Sequence, residues 1–306
     1  MHTMIDEFSG DFLQWLRGFY YVAKTGSVSL ATLEMGRNQP AISHQIKSIE
    51  NEFGVTLFDR SRGRMALTPE GKKLFEKSIS LFELIKEMEA EVDEGRLEHE
   101  GKIQIASTHA VIEYSLSQRI VDYKLEHPDV NFEIIGGGVN VILDKVESSE
   151  ADFGIANFNK IPDGLVFHEL FETVPKLIAP KNNPFFKSKH PTLKQISQIP
   201  FILFPNTSTL TTTIRAQFAE NGLEPRVVLV LNNFDIVKRF VELGMGISIL
   251  DEFTITQEDY QRLDIFPLER YFNSRMYGKI MRKRKYFSPA VRAFLRSIKP
   301  DIEFEK

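Results

Sequence analysis

The chain has 306 residues, 42% hydrophobic and 26% charged, with a formal net charge of -4 and no cysteine. That length predicts two domains with substantial cores, and zero cysteine excludes disulfides, thiol catalysis and zinc fingers. No run approaches the ~20 apolar residues needed to cross a bilayer. Asp6, Glu7 and Asp11 stand where a signal peptide is basic and then apolar, so a cytoplasmic protein without membrane contact is expected.

Phe12, Leu16, Phe19, Tyr20 and Ala23 recur at helical spacing and predict a first helix ending near Thr25 and Gly26. A second, short helix covers 29–35, where Ala31 allows close packing and Gly36 ends the turn. A third starts at 38–40, with Pro40 tolerated in its first turn, and turns Ile42, Ile46, Ile49 and Phe53 to the core. Gln39, Ser43, His44 and Lys47 fall on its other faces. Beyond Gly54, Leu57 and Phe58 anchor a hairpin whose strands carry Asp59-Arg60 and 65–67, with Arg62 and Arg64 at its tip.

This order describes a winged helix-turn-helix, a module that lays one helix in the DNA major groove. Gln, Ser and Lys suit base edges and phosphates, and the wing arginines suit phosphate or the minor groove. Taken alone, the same residues make an ordinary solvated helix face. The acidic total is no obstacle: residues 1–68 carry seven basic and seven acidic side chains, and 36–64 has a balance of +2.

Thr68, Pro69 and Glu70 form a helix start, and the helix can run to about 97. Leu74, Ser78, Leu81, Ile85, Met88 and Val92 make a seam at coiled-coil spacing. It suits either pairing with a second chain or packing on its own domain.

From 101 onward strands and helices alternate. Strands are predicted at 102–107, 131–135 and 151–157, then at 201–205, 226–231 and 246–250. Helices are predicted at 109–126, 139–149, 208–221, 233–243 and 289–298. Repetition of this pattern predicts two α/β lobes with mostly parallel sheets. Ligands in such folds meet strand carboxyl ends and helix N-termini. That rule selects Ser107, Thr108 and His109, then Gly138 and Asn140, then Asn157, and in the other lobe Phe204, Asn206, Thr207 and Ser208. A small polar or anionic ligand would suit them, although Ser107, Asn206 and Ser208 are equally natural helix caps. No metal-ligand spacing, nucleotide motif or catalytic arrangement is recognisable.

Residues 12–71 resemble the DNA-binding domain of the LysR-type transcriptional regulators. The likeness is carried by Gly26-Ser27, Ala31, Gln39-Pro40-Ala41, Ser43, Gln45-Ile46, Glu50, Gly54, Leu57-Phe58, Arg60, and Leu67-Thr68 through Gly71. Thr32, Met35, Arg37 and His44 depart from it. With the residue chemistry, it gives a DNA-contact set of Ser27, Asn38, Gln39, Pro40, Ser43, His44, Lys47, Arg60, Arg62 and Arg64.

The resemblance implies a winged helix-turn-helix over 1–68, a dimerisation helix over 69–98 and a periplasmic-binding-protein-like effector domain over 101–306. Lobe I would hold about 101–165 and 270–306, and lobe II about 166–269, with crossings near 161–170 and 266–275. It further implies double-stranded DNA, a small-molecule co-inducer and RNA polymerase as partners, a homodimer or homotetramer, no cofactor and no enzymatic activity. STHA at 107–110 and ADFGIA at 151–156 are faintly similar to the family's sulfur-assimilation branch, with Ala110 in place of a further threonine. A transport receptor would need a secretory signal and no DNA module. An enzyme would need a nucleophile with its base.

Overall fold

Glycines stop each of the first three helices: α1 (Phe12–Thr25), α2 (Val28–Met35) and α3 (Gln39–Phe53). At Gly36, φ is 61°, a left-handed turn that costs a glycine least and swings the chain from α2 into α3. These come from a computed structural model describing residues 11–59, 65–92, 100–183, 185–186, 188, 190–283 and 285–299. Two compact units divide the chain, Met1–Glu94 and Gly95–Lys306.

In the first unit, Leu16, Phe19 and Val22 of α1 pack with Ala31 of α2 and with Ile42, Ile46 and Ile49 of α3. The expected core stripe of α3 therefore loses its last member, because Phe53 is 42% exposed and meets Phe12 edge-on at 5.9 Å. Gly18 allows α1 and α3 to approach: a Cβ there would lie 2.3 Å from Gln45 Oε1. Strands β1 (Phe58–Asp59) and β2 (Ala66–Leu67) pair antiparallel as the base of the wing. Glu50 fixes that base, its carboxylate accepting the Leu57 amide at 2.8 Å.

Helix α4 (Pro69–Val92) starts at Thr68, whose hydroxyl accepts the Gly71 amide at 3.0 Å. The predicted seam is split. Leu74 and Leu81, with Phe75 and Phe82, pack onto the winged-helix core, and Tyr20 stacks near both phenylalanines. Leu84 and Met88 stay exposed. The predicted continuation to 97 falls on residues outside the described ones.

The second unit begins with β3 (Glu100–Ser107), then α5 (His109–Val111), a π-helical turn (Ile112–Leu116) and α6 (Ser117–Glu126). The predicted uninterrupted helix at 109–126 thus contains a wider turn. Next come β4 (Asp129–Gly136), α7 (Val139–Glu147), β5 (Phe153–Ala156), β6 (Leu165–Thr173) and β7 (Pro175–Pro180). Then follow α8 (Leu193–Ser197), β8 (Phe201–Leu203), α9 (Thr209–Glu220), β9 (Val227–Val230), α10 (Phe234–Glu242) and β10 (Ser248–Asp251). The last are α11 (Asp259–Arg262), β11 (Leu263–Pro267), β12 (Arg275–Arg282) and α12 (Pro289–Ile298).

One sheet runs β4-β3-β5-β12-β6, parallel in its first three strands and antiparallel at β12. Its two faces carry separate cores, one around Ile103, Phe153 and Phe294 and one around Ala106, Ile142 and Ile280. The other lobe has β10-β7-β11 and β8-β9, joined where the Ile202 amide donates to Ile247 O at 2.9 Å. Its core centres on Phe201, Ile214, Phe218, Val237 and Ile249.

The first crossing lies later than the expected 161–170. Strand β6 pairs with β12 in the first sheet over its whole length, so the chain changes lobe between Thr173 and Pro175. An amphipathic strand gives no local signal of which sheet will accept it. The return falls between β11 and β12, between Pro267 and Arg275.

Candidate functional site

In the first unit, burial of Ile42, Ile46 and Ile49 leaves the opposite face of α3 to solvent. Gln39, Pro40, Ser43, His44 and Lys47 are all exposed there. Asn38 is the N-cap of α3, its side chain accepting the Ala41 amide at 2.9 Å, and Ser27 caps α2 through the Leu30 amide at 3.4 Å. Both therefore have a structural task beside any contact with DNA. Asn38→Ala is expected to destabilise this unit by about 1 kcal/mol, measured by thermal unfolding. Arg60, Arg62 and Arg64 lie outside the described residues.

In the second unit, a cavity of about 310 Å³ opens between the lobes. Thr108, His109 and Gly138 line it from one side, and Phe204, Thr207 and Ser208 from the other. Phe204 is held by Phe234, with ring centroids 4.3 Å apart. Helices α7 and α9 begin at this cavity and neither has a side-chain cap: Gly138 has no side chain and the Ser208 hydroxyl makes no capping bond. Their first-turn amides thus provide partial positive charge at the cavity wall.

Four predicted residues are placed elsewhere. Ser107 is fully buried and donates to Ile155 O at 2.7 Å, so the parallel strand consumes its hydroxyl. Asn140 lines a neighbouring cavity of about 540 Å³ with Asn159 and Lys160, which shares Val139, Thr207 and Thr209 with the first. Asn157 donates to Met276 O at 2.8 Å and accepts from Arg275 Nη2 at 3.0 Å, outside the cavity lining. Asn206 points to solvent at the turn and lines neither cavity.

The charged wall of the cavity is not visible in the sequence. Arg275 and Asp251 line the cavity while only 5% and 0% exposed, and they form an ion pair through Nη1 and Oδ2. Arg275 Nη2 also donates to Thr209 Oγ1 at 2.7 Å, and the Tyr277 hydroxyl donates to Asp251 Oδ2 at 2.8 Å. Burial opposes the guanidinium charge, but the Asp251 carboxylate outweighs it and holds the arginine pKa above its ordinary value. Burial and the same carboxylate push the Tyr277 phenol up, keeping it a donor.

Asp251 ends β10, and Asn232 and Asn233 follow β9, so the strand-end rule applied to these two strands would have selected them. Arg275 had no local signal. It starts a strand, and only the return crossing brings it to the cavity.

The cleft has a second charged group at its edge. Glu113 lines the cavity from the π-helical turn, and neighbouring Tyr114 donates to Asp235 Oδ1 at 2.5 Å across to the other lobe. Buried Lys238 bonds Asp259 at 2.7 Å and the Tyr114 hydroxyl at 3.1 Å. A hydrogen bond shared with Asp235, then burial and the Asp235 charge, raise the Glu113 carboxyl to about 6.

A family model described as the LysR substrate binding domain matches residues 96–302. One described as a bacterial regulatory helix-turn-helix protein of the lysR family matches 13–72. The transcriptional regulator CysB of Burkholderia cenocepacia is 26% identical over 87% of this chain and 85% of that protein. The transcriptional dual regulator GltC of Bacillus subtilis is 28% identical over 92% and 94%.

Among solved structures, a full-length point variant of OxyR from Pseudomonas aeruginosa superposes with a TM-score of 0.77 at 18% identity, over 94% of each chain. The cofactor-binding domain of the Cbl regulator gives 0.63 at 25% identity, over 68% of this chain and 91% of that one. Regulators of the branch that STHA and ADFGIA resemble are thus among its relatives. Helix-turn-helix unit, two-lobed cleft and both family matches agree: the chain belongs to the LysR family of bacterial transcriptional regulators, with a helix-turn-helix DNA-binding domain and a C-terminal effector-binding domain.

Proposed function

We propose that this regulator reads double-stranded DNA through α3 and has its promoter binding changed by a small anionic molecule held between its α/β lobes. The observation that carries the DNA part is the exposed run Gln39, Pro40, Ser43, His44 and Lys47 on a helix whose other face is fixed in the core. Ser27, Asn38 and the wing residues Arg60, Arg62 and Arg64 complete the contact set as positioning and phosphate groups. Operators read by such modules have paired half-sites. The working form is therefore a homodimer or homotetramer, joined through α4 beyond the part committed to its own domain. It acts in the cytoplasm, with RNA polymerase as its downstream partner.

The anion reading rests on the uncapped starts of α7 and α9 facing one cavity, with Thr108, His109, Gly138, Phe204, Thr207, Ser208 and Arg275 around it. Effector binding shifts a population of lobe arrangements and so changes DNA geometry and polymerase contact. An enzymatic reading is disfavoured by Ser107, whose hydroxyl is spent on a backbone carbonyl.

Gel shifts on the regulator's own promoter region over a salt series test the DNA part. Lys47→Ala is expected to lower the salt slope by roughly one unit if it removes a phosphate contact. Gln39→Ala is expected to cost about 1–3 kcal/mol of discrimination between operator and competitor. Equal binding by both variants and the parent would sink this assignment of α3.

A further inference from the structure

We infer that the cleft takes an amphoteric ligand, a free α-amino acid or a close amine-bearing carboxylate, because two side chains of its wall carry a buried unpaired donor and a buried unpaired acceptor. This rests on the cleft being the effector site and names the ligand's chemical class.

The first observation is on the wall itself. Arg275 Nε and Asp251 Oδ1 are buried without a hydrogen-bond partner, although both side chains line the cavity and are bonded through their other atoms. Buried polar atoms in folded proteins are overwhelmingly paired, so two complementary orphans on adjacent side chains specify what a ligand must bring. It must offer an acceptor to the guanidinium and a donor to the carboxylate. Neither atom reaches solvent in this conformation. Both side chains sit at the lobe crossings, so a ligand reaches these atoms only with a small displacement of the lobes.

The second observation is the polarity of the cavity rim. The starts of α7 and α9 favour negative charge. Glu113, on the same cavity, is where negative charge is in excess. The groups around it are Tyr114, Asp235, Lys238 and, behind the lysine, Asp259. Lys238 is shared between Asp259 at 2.7 Å, Asp235 at 3.5 Å and the Tyr114 hydroxyl, and Arg262 also pairs with Asp259 at 2.8 Å. One lysine is thus divided among several carboxylates, and Glu113 beside Asp235 makes a pair that shares either a proton or a further cation. A ligand ammonium supplies that cation.

A plain anion such as sulfate satisfies only half of this site and leaves Asp251 Oδ1 and Glu113 facing like charge. An amino acid satisfies both halves, its carboxylate toward the helix starts and Arg275 and its ammonium toward Asp251 and Glu113. The volume of about 310 Å³ accommodates a molecule of this size.

The test is a thermal-shift and calorimetric titration of the full chain. The probes are the protein L-amino acids, each with its 2-hydroxy acid, its simple carboxylic acid, its N-acetyl derivative and the matching amine, and sodium sulfate. At least one amino acid is expected to bind about tenfold to a hundredfold more tightly than its amine-free and acetylated counterparts. Glu113→Gln, a change on an exposed side chain, is expected to erase most of that preference while the protein's own unfolding temperature is kept. Affinity in the parent should weaken as pH falls through about 6, where a proton competes for the Glu113 site. That slope should vanish in Glu113→Gln.

Equal or tighter binding of the carboxylic acids, the acetylated acids or sulfate would overturn the amphoteric ligand and leave the anion-binding cleft standing. Absence of any shift across all the probe classes would remove both readings.

Discussion

Replacing Arg275 by alanine is expected to destabilise the effector-binding unit by about 3–5 kcal/mol, because it strands a buried carboxylate. Asp251 is 0% exposed, and its Oδ1 is already without a partner. After the substitution its other oxygen keeps only the Tyr277 hydroxyl, while Asn157 Oδ1 and Thr209 Oγ1 lose the guanidinium. The effect should be confined to the unfolding transition of residues 95–306. The winged-helix unit, with its own core, should keep its transition and its non-specific DNA binding. A double replacement, Arg275→Met with Asp251→Leu, is expected to recover much of the loss, since two apolar groups of similar size leave no charge to solvate. Effector response should not return with it. Differential scanning calorimetry of the three proteins decides the matter: a loss below about 1 kcal/mol in Arg275→Ala would mean that water already solvates this pair.

In the DNA-binding unit, Phe19→Ala and Phe53→Ala should differ sharply although both lie on apolar helix faces. Phe19 is 0% exposed, packs near Phe58 with centroids 5.4 Å apart and ties α1 to the wing base. Its removal should cost about 3–5 kcal/mol, the usual range for a buried aromatic, and abolish operator binding near physiological temperature. Phe53 is 42% exposed and makes an edge contact with Phe12, so its loss should cost roughly 1 kcal/mol and leave binding intact. Urea unfolding of each variant, followed beside a gel shift, checks both. Similar losses from the two would mean that Phe53 is covered in the working oligomer.

The contrast between those phenylalanines shows where local pattern stops being informative. Spacing placed Ile42, Ile46, Ile49 and Phe53 on one stripe, and the first three are buried as the spacing predicts. The fourth is the last residue of α3 and meets Phe12, the first residue of α1, only edge-on. The same limit applies to α4: its heptad-like seam carries no label for its partner, and Leu74 and Leu81 turn to the winged-helix core. Strand β6 reads equally well in either lobe until its pairing with β12 is known.

Capping chemistry was legible in a different way. Asn38 and Thr68 are readable as helix starts because a side chain beside a backbone amide is a local event, whereas Ser208 starts α9 without such a bond. Whether such a start also faces a ligand depends on what lies across the cleft. Ser107 and Thr108 are adjacent in sequence, yet a single strand register gives the first to Ile155 and the second to the cavity.

Sequence by itself determined the class of protein. Glycine stops, caps, apolar spacing and the run of residues 26–71 act within a few turns of chain, and short-range sterics and hydrogen bonds fix their outcome. Tertiary structure alone decided the chemistry of the cleft. Arg275, Asp251 and Glu113 are separated by 24 and 138 residues along the chain. Only the two lobe crossings bring them to one cavity, with Arg275 and Asp251 buried in its wall and Glu113 exposed at its edge.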